Sequence, residues 1–144
     1  MIVLDAQALE ALLVDEPAMD RVIELIETRQ QVLISAVNLA EVADRMTRVH
    51  RSPRAEVEAD VDELGLFVTA VDEELALLGA ELRAAHYHGT RRSVSIADCI
   101  AAALALERAA PLATSDPALI DLMLDEGGLV EVLPDSTGTL YQRR

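Results

Sequence analysis

Short, nearly unbroken apolar runs alternate along this chain with stretches whose apolar residues recur every three or four positions. Runs of the first kind cover residues 2–5 (IVLD), 32–35 (VLIS), 66–71 (LFVTAV), 112–114 (LAT) and 129–133 (LVEVL). They are rich in Val, Leu and Ile and do not alternate with polar residues, as expected of strands buried on both faces of a parallel sheet. Helical spacing covers residues 6–13, 18–28, 36–50, 54–64, 73–87, 96–109 and 118–124. Strand and helix in turn predict an α/β domain with helices on both faces of the sheet. Glycines stand at the ends of elements: Gly65 before the third strand, Gly89 after a helix, Gly127 and Gly128 before the last strand. No repeat, low-complexity tract or linker interrupts the pattern, so residues 1–144 read as one domain.

Composition narrows the core. A chain of 144 residues, half of them hydrophobic, can bury roughly 70% of the surface it exposes when unfolded. Phe67, Tyr87 and Tyr141 are the only aromatic residues, so that core has to be aliphatic. The single cysteine, Cys99, excludes an internal disulfide and reads as a small core residue suited to a reducing compartment. With no leader-like segment and no apolar run of membrane length, the chain reads as cytosolic, with no membrane partner.

Charge changes the picture more. Acidic residues number 26 against 12 basic ones, a net charge of −14, and every basic residue is an arginine. That balance argues against passive binding of nucleic acid, but not against an enzyme that recruits cations to a site. The arginines cluster at Arg45, Arg48, Arg51 and Arg54, then at Arg83, Arg91 and Arg92, then at Arg143 and Arg144. The first cluster reads equally as an RNA track or a solvated face. His86 and His88, two apart, share no helix face and read as surface residues or RNA-phosphate contacts rather than ligands; His50 reads as the end of a helix.

Four carboxylates stand out. Asp5 follows a strand and precedes a helix, where it could cap the helix or serve a site at the strand's end; the two readings are even. Asp98 is the one charge between Arg92 and Glu107, on a helix apolar nearly all round. A capping box with Ser95 would satisfy its hydrogen bonds, but a buried carboxylate also needs something to neutralise it, which favours a functional role. Glu41 lies away from the stripe Leu39, Val42, Ala43, Met46 and Val49, and periodicity pairs it with Arg45 at i+4, as it pairs Asp44 with Arg48. Asp116 before Pro117 reads as a helix cap, yet it also lies just past a strand.

Taken in order, V-L-D-A at residues 3–6, S-x-x-N-x-x-E at 35–41, S-x-x-D-C at 95–99 and T-x-D at 114–116 resemble the PIN-domain ribonucleases, in particular the VapC-type toxins of bacterial toxin–antitoxin pairs. The resemblance covers essentially the whole chain. It implies a three-layer α/β/α fold with a short central parallel sheet of strand order 3-2-1-4-5. It also implies a site of Asp5, Glu41, Asp98 and Asp116 supported by Ser35, Asn38 and Thr114. Gln7 departs from the pattern, since the family usually has Ser or Thr there. Four carboxylates together would need a cation, and oxygen ligands without His or Cys suit Mg²⁺ or Mn²⁺. Asp5 and Asp98 would bind the metal directly, with Glu41 and Asp116 binding a second ion or orienting water. The implied activity is hydrolysis of RNA phosphodiester bonds by a toxin that forms a homodimer and is blocked by a cognate antitoxin. The alternative is a catalytically weakened PIN-like binding or scaffold module, of which Gln7 would be a first sign. A receiver domain is excluded by the lack of lysine, and a haloacid-dehalogenase phosphatase by the lack of D-x-D after the first strand.

Overall fold

The five apolar runs become β1 (Ile2–Leu4), β2 (Val32–Ser35), β3 (Phe67–Thr69), β4 (Leu112–Thr114) and β5 (Val130–Val132) in the computed structural model, which describes residues 1–143. They lie parallel in the order β3-β2-β1-β4-β5, as the resemblance implied. Register places Ile2 beside Val32, Val3 beside Leu112, Leu33 beside Phe67 and Leu112 beside Val130.

Three of the strands are shorter than their apolar runs. Asp5 leaves the ladder because it caps the next helix, and residues 66, 70, 71, 129 and 133 fall outside the paired register. Burial on both faces holds only for the inner strands β1, β2 and β4. The edge strands are open, and Phe67, the chain's single phenylalanine, is 53% exposed on β3.

The helices are α1 (Ala6–Leu13), α2 (Met19–Thr28), α3 (Ala36–Arg48), α4 (Arg54–Glu63), α5 (Glu73–His86), α6 (Ile96–Glu107) and α7 (Pro117–Asp125). Strand pleating divides them into two layers. Val3, Leu33 and Leu112 pack against α5, α6 and α7. Ile2, Leu4, Val32 and Ala113 face α1 and α2, and Ile34 packs with α1, α3 and α4. The core is aliphatic, as composition required. No helix among the described residues is long and apolar enough to cross a membrane.

Helix α6 is the central one. It packs on β1, β2 and β4 and touches α3, α5 and α7. Ala101, Ala102, Ala103 and Ala105 are fully buried, and side chains this small let the helix lie close to its neighbours. The approach is tightest at Gly79 of α5, where an added Cβ would stand 2.9 Å from Ile100 Cγ1 and 3.4 Å from Ile100 Cα. Alanine is the better helix former, yet this overpacking outweighs the gain. Gly79→Ala should lower the unfolding free energy by about 1–2 kcal/mol in urea denaturation, and an unchanged or raised midpoint would show that α5 can shift away from α6.

Candidate active site

Helices α1, α6 and α7 begin at the C-terminal edge of the sheet, and each beginning carries one of the candidate carboxylates. Asp5 caps α1, its Oδ1 accepting from the Ala8 N–H at 2.7 Å. Asp116 caps α7, its Oδ1 accepting from Ala118 N–H at 2.7 Å, with Pro117 at the first helical position. Asp98 closes a capping box on α6: Ser95 Oγ accepts from Asp98 N–H at 3.0 Å, and Asp98 Oδ2 accepts from Ser95 N–H at 2.7 Å. Capping and clustering are therefore compatible, because each cap engages one carboxylate oxygen. Asp98 itself is half-buried rather than enclosed, since the first turn of α6 emerges from the core.

Strand order brings the caps together. β1 and β4 are neighbours, and the connections on either side of them run to opposite ends of the sheet, which makes their C-terminal ends a switch point. Asp5 N–H donates to Ala113 carbonyl, and Thr114 Oγ1 accepts from Asp116 N–H at 3.1 Å. Across the same edge, buried Asn38 joins α3 to α6. Its Oδ1 accepts from the Ser35 hydroxyl and its Nδ2 donates to the Ala97 carbonyl at 3.2 Å, one residue before Asp98. Glu41, one turn along α3, is thereby brought within electrostatic range of Asp98.

The charges interact accordingly. Burial pushes the Asp5 carboxyl up to about 7, with Asp98 and Asp116 adding to the effect and the Thr114 hydroxyl and Ala8 N–H opposing it. Burial also raises Asp116, against the pull of the Ala118 and Leu119 N–H groups and with a contribution from Asp98. Glu41 is raised by burial and then by Asp98, opposed by Asn38 and Arg45. Asp98 is thus coupled to the other three. Among the described residues, no salt bridge reaches any of the four.

Several side chains stand elsewhere than the sequence indicates. Arg45 does not pair with Glu41; its Nε forms an ion pair with Glu10 on α1 at 2.8 Å, while Asp44 and Arg48 do pair, also at 2.8 Å. Glu10 is buried and was not singled out, although it is the one charge between Asp5 and Asp15, the same signal that marks Asp98. His86 is not a surface residue: its ring lies between Glu126 and Arg92 and is mostly enclosed. His50 lies just beyond α3 and approaches Glu10 at 3.7 Å. Gln7 is exposed, and its Oε1 accepts from the Ser115 hydroxyl at 3.1 Å, bridging α1 to the turn before α7. Cys99 is buried, as expected.

The donor set is all carboxylate oxygen, with no salt bridge to any of the four among the described residues, which suits a hard divalent ion. As the side chains lie, no three His, Cys, Asp or Glu residues among the described ones are close enough together to hold one.

The model of the PIN domain family matches residues 2–122. The chain belongs to the PIN domain family. Its fold is shared with VapC20 of Mycobacterium tuberculosis, described as a toxin that cleaves the sarcin–ricin loop, at 21% identity and a TM-score of 0.69, covering 93% of this chain and 100% of that one. It is also shared with FitAcB from Neisseria gonorrhoeae at 23% identity and a TM-score of 0.61, covering 90% and 96%. VapBC2 from Rickettsia felis, in a complex with a fragment of promoter DNA, matches at 19% identity and a TM-score of 0.62, covering 91% and 98%. Comparison with curated proteins gave no match.

The carboxylate cluster makes stability depend on pH in a definite direction. Unfolded, Asp5 loses its proton near the ordinary value of 3.8; folded, it keeps it to about 7. The folded state therefore holds more protons between these values, and stability falls as pH rises through the window. Glu41 and Asp116, also raised, act in the same sense. Without divalent cations, the wild type should melt higher at pH 5 than at pH 7.5. Asp5→Asn should reduce that difference and stabilise the protein at pH 7.5 alone; equal destabilisation at both pH values would mean that Asp5 acts only as a cap.

Proposed function

We propose that this PIN protein is a metal-dependent endoribonuclease and the toxin of a toxin–antitoxin pair. The observation that carries the reading is a cluster of four carboxylates at the switch point, coupled through Asp98 and without a salt bridge to any of them among the described residues. Such a cluster lowers stability unless something positive binds it. The fold shared with VapC20 and with toxin–antitoxin complexes supports the same reading.

Asp5 and Asp98 would hold Mg²⁺ or Mn²⁺, with Glu41 and Asp116 completing the site. A bound divalent cation would polarise the scissile phosphate and offset the charge that develops on the departing oxygen. The remaining work falls to the protein. Asn38 keeps Glu41 beside Asp98, so that a Glu41 carboxylate oxygen can accept the proton of the attacking water. Thr114 fixes the start of the turn that carries Asp116. As water adds to phosphorus, the bond to the 3′ oxygen breaks. A cognate antitoxin and a second copy of the chain are the proposed partners, and the cytoplasm the proposed setting.

Two measurements test the reading. Mg²⁺ or Mn²⁺ should raise the melting temperature of the wild type, and the rise should be lost in Asp98→Asn. Purified protein should cleave RNA in Mn²⁺, with Asp5→Asn and Asp98→Asn each lowering the rate at least about a hundredfold. Binding of metal and RNA without cleavage would point instead to a weakened binding module, the reading that Gln7 at the family's hydroxyl position would then explain.

A further inference from the structure

Beside the carboxylate cluster lies a cavity of about 390 Å³ whose wall includes Asp116, Gln7 and Ser115 together with Glu10 and Arg45. Arg45 is the one cation on that wall. Its Nε forms an ion pair with Glu10 Oε1 at 2.8 Å, and Glu10 is only 6% exposed. A carboxylate enclosed to that degree is costly to bury, and stability alone gives little reason to keep it. What Glu10 does is fix a guanidinium at the rim. The ion pair runs through Nε, the two terminal nitrogens of Arg45 make no side-chain hydrogen bond among the described residues, and the Arg45 side chain is 54% exposed. A guanidinium fork held in this way matches a phosphate.

None of the other acids on the wall, Asp116, Asp135 and Glu16, forms an ion pair with Arg45 among the described residues. Asp135 is engaged by the N–H groups of Thr137 and Thr139 and by the Thr137 hydroxyl, and Glu16 is exposed to solvent. RNA approaching a chain of net charge −14 needs a fixed positive contact close to the reacting bond. We propose that Arg45, positioned by buried Glu10, binds an RNA phosphate adjacent to the one that is cleaved. This rests on the nuclease reading and adds to it a substrate-binding residue outside the four carboxylates.

The test uses the full-length chain carrying Asp98→Asn, with Mg²⁺ and a fluorescently labelled single-stranded oligoribonucleotide, titrated by anisotropy over a salt series. Adding Arg45→Gln should weaken binding roughly tenfold and flatten the plot of log affinity against log salt by about 0.7. Arg45→Lys, which keeps the charge, should restore the slope. Arg54→Gln removes the same charge from α4, where Arg54 pairs with exposed Glu58, and should change neither quantity. Because Arg45→Gln leaves Glu10 unpaired, Glu10→Gln with Arg45→Gln provides a second variant without a stranded charge, and it should show the same loss. Equal effects of Arg45→Gln and Arg54→Gln would overturn the contact and leave the nuclease reading standing. Failure of the unmodified protein to cleave RNA in Mn²⁺ would remove the nuclease reading, and this contact with it.

Discussion

Like charges do not gather without something to hold them, and here the holding is done by the starts of helices. Asp5, Asp98 and Asp116 each accept hydrogen bonds from backbone N–H groups at the N-terminus of α1, α6 or α7. Those N–H groups have no partner within the helix, and the helix dipole adds a partial positive charge at the same point. Each carboxylate is thus stabilised by its own helix before any neighbour is considered. The sheet then brings the helices together, because β1 and β4 are adjacent at the point where strand order reverses. What remains unbalanced is the mutual repulsion, and on Asp5, the one member that is buried, it adds to the larger cost of removal from water.

The position of Asp98 depends in turn on residues far along the chain. The segment between α5 and α6 contains no helix and only one antiparallel pair, His88 with Arg92, yet it sets where α6 begins. It is pinned by the pairing of Arg92 with Asp125 at the end of α7 and by the Arg83 guanidinium donating to the Val94 carbonyl. His86 joins Glu126 and Arg92 in the same group, and Arg143 reaches back to Asp125. These contacts are polar and partly exposed, so each contributes little on its own. Together they tie the entrance of α6 to the end of α7, the helix whose start carries Asp116. Two members of the cluster are therefore positioned by opposite ends of one polar network.

Much of this was legible in the sequence. Unbroken apolar runs identified the strands because β1, β2 and β4 are covered on both sides; the runs overstated the edge strands, where residues such as Phe67 are apolar without being enclosed. Asp98 was legible as the lone charge on an apolar helix. Asp5 and Asp116 looked like caps and are caps; that they also share an edge follows from strand order, which one-dimensional patterns do not contain. Glu41 was the hardest. Its helical periodicity is that of a solvated residue, and it reaches the cluster only because Asn38 bonds to a carbonyl 59 positions away.

The exchange of partners at Arg45 shows why local rules fail at such a place. On an isolated helix, Glu41 and Arg45 at i and i+4 attract by a few tenths of a kcal/mol, an interaction weakened by water and salt. Glu10 makes a stronger claim, because it is largely removed from water and an enclosed carboxylate left without a cation is strongly destabilising. Between a half-solvated acid and a buried one, the arginine goes to the buried one. The consequence reaches Glu41. With Arg45 drawn to α1, Glu41 keeps only a distant share of its charge and is left facing Asp98. A single buried glutamate, outside every motif, thus keeps the cluster free of the one arginine best placed to neutralise it.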